Sequence, residues 1–430
     1  MAPSTSNAPS LLLLPAPPFP LDPRSLSAAY RAPLTAVFKR LGSSSSSSST
    51  NNDDGSHVLV IAVACPILAG PSPRSKALNW KAAQSLLART YTLISVICNE
   101  LSINTSGEPS TTSSTSLDPR VVLIDHERRR TYHRNYDGEY EANCTPVLDL
   151  AAFASTVYPW KAVFHPSAES GYELLNAFLE YSQGKQTFLQ NQLVAVEGGI
   201  TLSISENTTT TLAAQADFIK GHDVVCLGGT FDHLHPGHKL LLHATVLLMK
   251  IPDKTSSSSS SSGKQAVLVV GISGDELLTK KKYAEVLQPW DVRASNVLRF
   301  LSTIFNSASS SNTNSLPPTS SPSRDELHAT FCDGAVLVRC VNIHDPFGPT
   351  ITEEVMDVIV VSGETRSGGQ AINDKRTERG WKPLDVFEID VLDPNDILEE
   401  SNSDQNNGFA SKISSTEIRQ RIAQAQNGLQ

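Results

Sequence analysis

The chain has 430 residues, long enough for two domains of ordinary size, and carries 35 Lys and Arg against 44 Asp and Glu, a net charge of -9. That acidic balance argues against a general nucleic-acid coat, which needs a basic surface, but leaves room for a local cationic pocket of the kind a nucleotide needs. The cysteines form no CxxC pair and no metal-ligand spacing, and no apolar run reaches membrane-spanning length; a disulfide framework, a structural zinc and a spanning helix are therefore not expected, and the chain reads as one of a reducing compartment.

Residues 1–57 are rich in Pro, Ser and Ala and end in the serine run Ser43 to Ser49 and NNDDGS. Such a segment buries too little apolar surface to offset its chain entropy, so a disordered tail is expected. The Leu11 to Leu14 run is cut off by prolines and is too short for a signal-peptide core. The cytoplasm is the expected location. Few acids within residues 1–42 leave a mitochondrial presequence as the competing reading, against which the prolines argue; a nuclear association is left open.

Residues 58–210 show alternating signals. HVLVIAVACPI, VVLID and AVF have the look of strands; KALNWKAAQSLLARTYTLISVICNEL and ESGYELLNAFLEYSQG have apolar residues at helical spacing; QLVAVEGGITLSI reads as a strand or hairpin. The alternation predicts an α/β domain of unknown role. Its only charged cluster, His126 to His133, reads as a solvated face, with a contact surface as the alternative.

From residue 215 to 430 a second alternation begins. Strands are expected at HDVVCLGG, QAVLVVGIS, AVLVRCVNI, DVIVVS and LDVFEIDVL, separated by helices or long crossovers. This is the pattern of a doubly wound five-stranded parallel sheet, with the first α/β domain added at its N-terminus. Ser-rich stretches at 255–263 and 307–323 read as surface-loop insertions.

The first of those strands runs into Gly228-Gly229-Thr230-Phe231-Asp232-His233-Leu234-His235-Pro236-Gly237-His238-Lys239. Ligands of open α/β sheets sit beyond the carboxyl ends of the strands. The glycines allow a sharp turn and close approach, and Pro236 suits the first position of a helix. His235 and His238, three residues apart, share the face of a helix start that already favours anions. That combination suits a phosphate. A tight turn with polar caps, or a two-histidine zinc site, fits the same residues less well. A second run, Ile413-Ser414-Ser415-Thr416-Glu417-Ile418-Arg419, opens another helix; Ser414 and Glu417 fit a capping box there.

The two runs resemble the signatures of the T/HxGH nucleotidyltransferase superfamily, whose fold is Rossmann-like. Between them VVGISGDELLTKKKYAEVLQPWDVR, DPFGPTITEEVMDVIVVSGET and GGQAINDKR are similar to the eukaryotic-type phosphopantetheine adenylyltransferases. The absence of an RTxG ahead of ISST favours ATP over CTP. No GxxxxGK[ST] loop is present, which points to the monofunctional, fungal-like arrangement without a fused kinase. The resemblance implies adenylyl transfer from ATP to 4′-phosphopantetheine, giving dephospho-CoA and pyrophosphate. His238, His235 and Lys281 would be catalytic. Gly229, Thr230, Phe231, Gly237, Lys280, Arg293, Arg366, Asn373, Arg376, Ser414, Ser415, Thr416 and Arg419 would bind ATP or the acceptor. Asp232 would shape the loop. Mg²⁺ would enter on the triphosphate with no dedicated protein ligands, and a separate dephospho-CoA kinase would be a partner. Rival readings are nucleotidyl transfer to another phosphate acceptor, or a non-catalytic nucleotide-binding scaffold. A fragment starting near Thr210 is expected to keep the activity.

Overall fold

The computed structural model describes residues 8–18, 21–44, 57–105, 116–132, 143–157, 159–199, 218–252, 265–305, 319–390, 392 and 414–427. Its first half builds on β1 (Ser10–Leu14), α1 (Pro23–Ser44), β2 (His57–Cys65), the short strands β3 (Leu68–Ala69) and β4 (Ala77–Asn79), and α2 (Trp80–Glu100). Then follow β5 (Leu117–Asp125), β6 (Leu148–Asp149), α3 (Leu150–Thr156), β7 (Val163–Pro166), α4 (Glu169–Ser182) and β8 (Leu193–Val196). The sheet order is β6-β5-β2-β1-β7-β8, and every pairing is parallel.

The expected tail is therefore corrected. Leu11 to Leu14 form a central strand, each leucine at most 1% exposed, paired with β2 on one side and β7 on the other. The prolines that make this segment look like a linker bracket the strand. Asp22 caps α1, accepting from the Ser25 N–H at 2.9 Å and the Ser25 hydroxyl at 2.6 Å. Residues 1–7, 19–20 and 45–56 lie outside the described residues. Within the basic patch, residue 133 lies outside the described residues and Arg128, Arg129 and Thr131 are exposed, as a solvated face would be, while Arg130 pairs with the fully buried Asp125, and Arg128 with Glu169 and Glu173 of α4.

The second half contains β9 (Phe218–Ile219), β10 (Val224–Gly229), α5 (Pro236–Val246), β11 (Ala266–Ser273), α6 (Asp275–Leu278), α7 (Trp290–Ile304), β12 (Thr319–Ser323), β13 (Glu326–Phe331) and β14 (Val336–Ile343). It ends with β15 (Val358–Val361), α8 (Arg366–Glu378), β16 (Asp385–Glu388) and α9 (Ser415–Asn427). Its sheet has the order β12-β13-β14-β11-β10-β15-β16, seven strands rather than five. The run β14-β11-β10-β15-β16 is parallel, while β13 and β12 add antiparallel pairs at one edge. The second Ser-rich insertion thus ends as a strand over 319–323, held by backbone pairing with all five side chains exposed; with nothing to bury, it carries no apolar pattern. The insertion at 255–263 lies outside the described residues. Chain order reverses beside β10, so the switch point of the sheet falls at the glycine loop.

The two halves share one core. α2 packs on α5, the Trp80 indole N–H donates to the Ala244 carbonyl at 2.9 Å, and the Trp80 ring meets Phe387 edge-on at 5.0 Å. β9 from the second half pairs with β4 from the first. Covered by its own sheet on one side and α2 on the other, α5 has no exposed residue, and its polar Lys239, His243 and Thr245 are buried along with its leucines.

Candidate active site

At the carboxyl end of β10 the chain makes a tight excursion before α5. Phe231 and His233 adopt left-handed backbone, φ 52° and 45°, costly for bulky residues and sustained only where the surroundings fix them. Those surroundings are explicit. Asp232, fully buried, accepts from the Gln288 N–H at 3.0 Å, and the Gln288 side-chain oxygen accepts from the His233 N–H at 2.9 Å. The His233 imidazole meets the Val286 carbonyl at 3.0 Å. Arg293 closes the ring from behind, donating to the carbonyls of Thr230, Ser273 and Gln288 and to Asp275.

His235 caps α5. Its Nδ1 accepts from the Gly237 N–H at 3.2 Å, which leaves Nε2 to carry the proton, and Nε2 lies 3.2 Å from the Ser415 hydroxyl. Ser415 in turn donates to the Asp232 carbonyl at 3.2 Å. The two signatures, 180 positions apart, thus meet in one hydrogen-bonded unit. Gly237 leaves room for that contact: a Cβ there would stand 3.1 Å from the His235 ring, which would have to give by a few tenths of an ångström. The imidazoles of His235 and His238 stack with centroids 3.9 Å apart, and His238 also meets Phe231 at 5.3 Å. Burial, then the neighbouring Lys239 and His233, pushes His235 down to about 3. Burial and the adjacent imidazoles push His238 well below its usual value. Both rings are neutral at pH 7, and the His238 Nδ1 is a buried nitrogen without a hydrogen-bond partner.

The first turn of α9 faces this loop with Ser414, Ser415 and Thr416. Ser414 caps the helix through its carbonyl, 3.0 Å from the Glu417 N–H, with its hydroxyl at 3.4 Å. Lys280, Lys281 and Lys282 are exposed, with the Lys282 carbonyl accepting from Arg419 at 3.1 Å. Gly229 ends β10 against the Phe231 ring.

Five expected ligands are engaged by partners within the chain. Arg419, 2% exposed, is paired with Asp232 at 2.6 Å and bonded to Thr416 and the Lys282 carbonyl; its guanidinium ties α9 to the glycine loop. Arg293 is fully buried and its donors go to the loop carbonyls. Arg376, also fully buried, donates to the carbonyls of Thr350, Glu353, Glu354 and Lys382, satisfying chain ends under α8. The Asn373 amide makes a two-way pair with the backbone of Leu384. Arg366 is exposed and paired with Glu388. Sequence reasoning missed Gln288, Ser273 and the Asp232–Arg419 pair. Gln288 stands directly before Pro289 at the start of α7, which gives it no motif of its own.

A family model described as a domain of unknown function (DUF8446) matches residues 1–202. An uncharacterised protein of Schizosaccharomyces pombe is 36% identical over 200 residues, covering 46% of this chain and 48% of that protein, so the chain spans about half its length. A protein of Pyrobaculum aerophilum named phosphopantetheine adenylyltransferase is 30% identical over 196 residues, 45% of this chain and 88% of its own. One of the same name from Saccharomyces cerevisiae is 30% identical over 276 residues, 64% of this chain and 69% of its own, a match that extends into the N-terminal half. Two signatures joined at His235 and Ser415, at the switch point of a parallel sheet, agree with that likeness: the chain belongs to the phosphopantetheine adenylyltransferase family.

Proposed function

We propose that the protein transfers the adenylyl group of ATP, taken as its Mg²⁺ complex, to 4′-phosphopantetheine, forming dephospho-CoA and pyrophosphate. One observation carries this reading: the 3.2 Å contact between His235 and Ser415, which sets two helix N-termini around one small space. Two such termini suit a polyphosphate, because their unpaired N–H groups and dipoles all face negative charge.

In the reaction an acceptor phosphate oxygen attacks the α-phosphorus in line. The bond from that phosphorus to the β-bridging oxygen breaks, and pyrophosphate leaves. No protein nucleophile takes part; rate comes from positioning and from donors aimed at charge as it builds. His238 donates to the α-phosphate oxygens. It is neutral in the empty site, and the charge of the bound triphosphate favours its protonated, donating form. His235, its tautomer fixed by Gly237, donates from Nε2. Ser414 to Thr416 and the first turn of α9 take the β- and γ-phosphates. Thr230 and the Lys280–Lys282 loop take the acceptor phosphate, with Lys281 as its principal cation. Arg419, Arg293 and Asp232 hold these groups in place and do not touch substrate.

The test is direct: incubate the full chain with ATP, Mg²⁺ and 4′-phosphopantetheine, and separately with CTP. Dephospho-CoA and pyrophosphate should appear with ATP alone and the products should stop there, without CoA. Equal turnover with CTP, or no transfer to phosphopantetheine, would reject this assignment.

A further inference from the structure

We propose that the N-terminal unit is a positioning element of the active site, and that Asp118, acting through Lys239, fixes the rotation of the helix that carries His235 and His238. The proposal rests on the adenylyl-transfer reading for its activity readout and on geometry for the rest.

Lys239 directly follows His238. Consecutive side chains on a helix diverge by about 100°, so while His238 faces the site, Lys239 faces away from it. It enters the N-terminal unit, where it is 2% exposed and donates to Asp118 Oδ1 at 2.5 Å and the Pro119 carbonyl at 3.2 Å. The other Asp118 oxygen takes Arg120 in a two-pronged contact, Nε at 2.9 Å and Nη2 at 2.6 Å. Arg120 reaches on to α7, donating to the Arg299 carbonyl at 3.1 Å and the Thr303 hydroxyl at 2.6 Å. α7 is also the helix whose Arg293 holds the Thr230 carbonyl in the glycine loop. One carboxylate on β5 therefore grips both helices that shape the phosphate site. Burial works to raise the Asp118 carboxyl, but Arg120 and Lys239 override it and hold it well below the usual range.

Stability alone does not call for such a group. Buried charge is expensive to desolvate, and an apolar trio of equal volume often packs as well or better. What charges add is direction: an ammonium seated between a carboxylate and a carbonyl has one place to be, whereas a methionine has many. Because His235 must reach Ser415 while stacked on His238, a small rotation of α5 moves both rings. A displacement of about 1 Å in a reacting group can cost on the order of 100-fold in rate.

The experiment replaces the trio by apolar groups in the full chain: Asp118→Leu, Arg120→Met and Lys239→Met together. The melting temperature should stay at or above that of the wild type. The kcat for dephospho-CoA formation should fall by about tenfold or more, with the KM for ATP within about threefold, because the donor geometry is lost while the binding cleft persists. In imidazole NMR spectra the His235 and His238 signals should move, while those of His165 and His328 stay. A folded triple variant with wild-type kcat and unmoved signals overturns the proposal. Should the triple variant not fold, Asp118→Asn, which keeps the shape and drops the charge, is read the same way below its melting temperature, and wild-type kcat there overturns it too. If the wild-type chain forms no dephospho-CoA, the activity reading fails by itself and the imidazole signals alone decide the positioning.

Discussion

At the scale of single residues, the proposed reaction divides the site into groups that would meet substrate and groups that hold them. His238 is of the first kind. His238→Ala should lower kcat with the KM for ATP nearly unchanged, since a donor aimed at developing charge is worth about 3 kcal/mol of barrier. Steady-state kinetics checks this, and near-wild-type turnover removes His238 from the mechanism. Arg419 is of the second kind. Its partner Asp232 has no exposure at all, so Arg419→Ala strands a buried carboxylate. Breaking such a pair costs about 3–5 kcal/mol. The melting temperature should fall sharply, and a second change, Asp232→Asn, should recover part of the loss. An Arg419→Ala protein of unchanged stability but weakened ATP affinity would restore the simpler reading of Arg419 as a phosphate ligand. Arg293, Asn373 and Arg376 teach the same lesson about legibility. An arginine that satisfies buried carbonyls and one that binds phosphate are the same letter near the same motifs, and only the burial and the direction of the donors tell them apart. The histidines stood out in the sequence because two imidazoles on one glycine-bounded helix start are uncommon, and the fold does bring them together, stacked on each other and with His235 against Ser415.

At the scale of elements, β10, β11 and β15 of the second sheet were readable because each is a near-continuous apolar run bounded by turn residues, as central strands buried on both faces must be. β1 obeys the same physics and was still missed. Its five residues are too few to stand out, prolines flank it, and in the helix behind it the buried apolar stripe of Leu26, Tyr30, Leu34, Val37 and Phe38 is diluted by Ser, Ala, Arg and an internal Pro33. Composition reported a tail, and the burial of a strand in the middle of a sheet overrode composition. That burial makes a clear prediction. Leu12 is fully buried between β2 and β7, so Leu12→Ala should cost about 2–5 kcal/mol. Chemical denaturation measures it, and a cost below about 0.5 kcal/mol, the range of surface changes, would return the segment to the status of a tail. The edge strand β12 was illegible for the opposite reason: it buries no side chain and is held by its backbone alone.

At the scale of the whole molecule, the shared core couples the halves in both stability and solubility. His243 lies on α5 against the N-terminal unit, and burial pushes it down to about 3; His126, at the edge of the first sheet, is pushed down to about 4 by burial and then Arg130. An unfolded imidazole titrates near 6.5, so between that pH and about 4 the unfolded chain binds protons that the folded chain refuses. Stability therefore falls as pH drops through this window, by about 1.4 kcal/mol per pH unit for each fully buried histidine. Unfolding curves at pH 7 and 5.5 test it, with His243→Gln flattening the dependence. The same coupling revises what truncation does. Both signatures lie beyond residue 220, which is why a fragment starting near Thr210 looks self-sufficient in the sequence. In the fold that cut removes α2 from α5, the Trp80 bond to the Ala244 carbonyl, and the Asp118 and Pro119 partners of the buried Lys239. Leu240, Leu242 and Val246 belong to the core that both halves build, and the cut strips α5 of its outer cover. The fragment would present an apolar helix face carrying an unpaired ammonium, a surface that drives association. It should be recovered as aggregate, and expression with the N-terminal unit supplied as a separate chain should return part of it to solution. A monomeric fragment with full adenylyl transfer would mean that the N-terminal half neither covers nor positions α5.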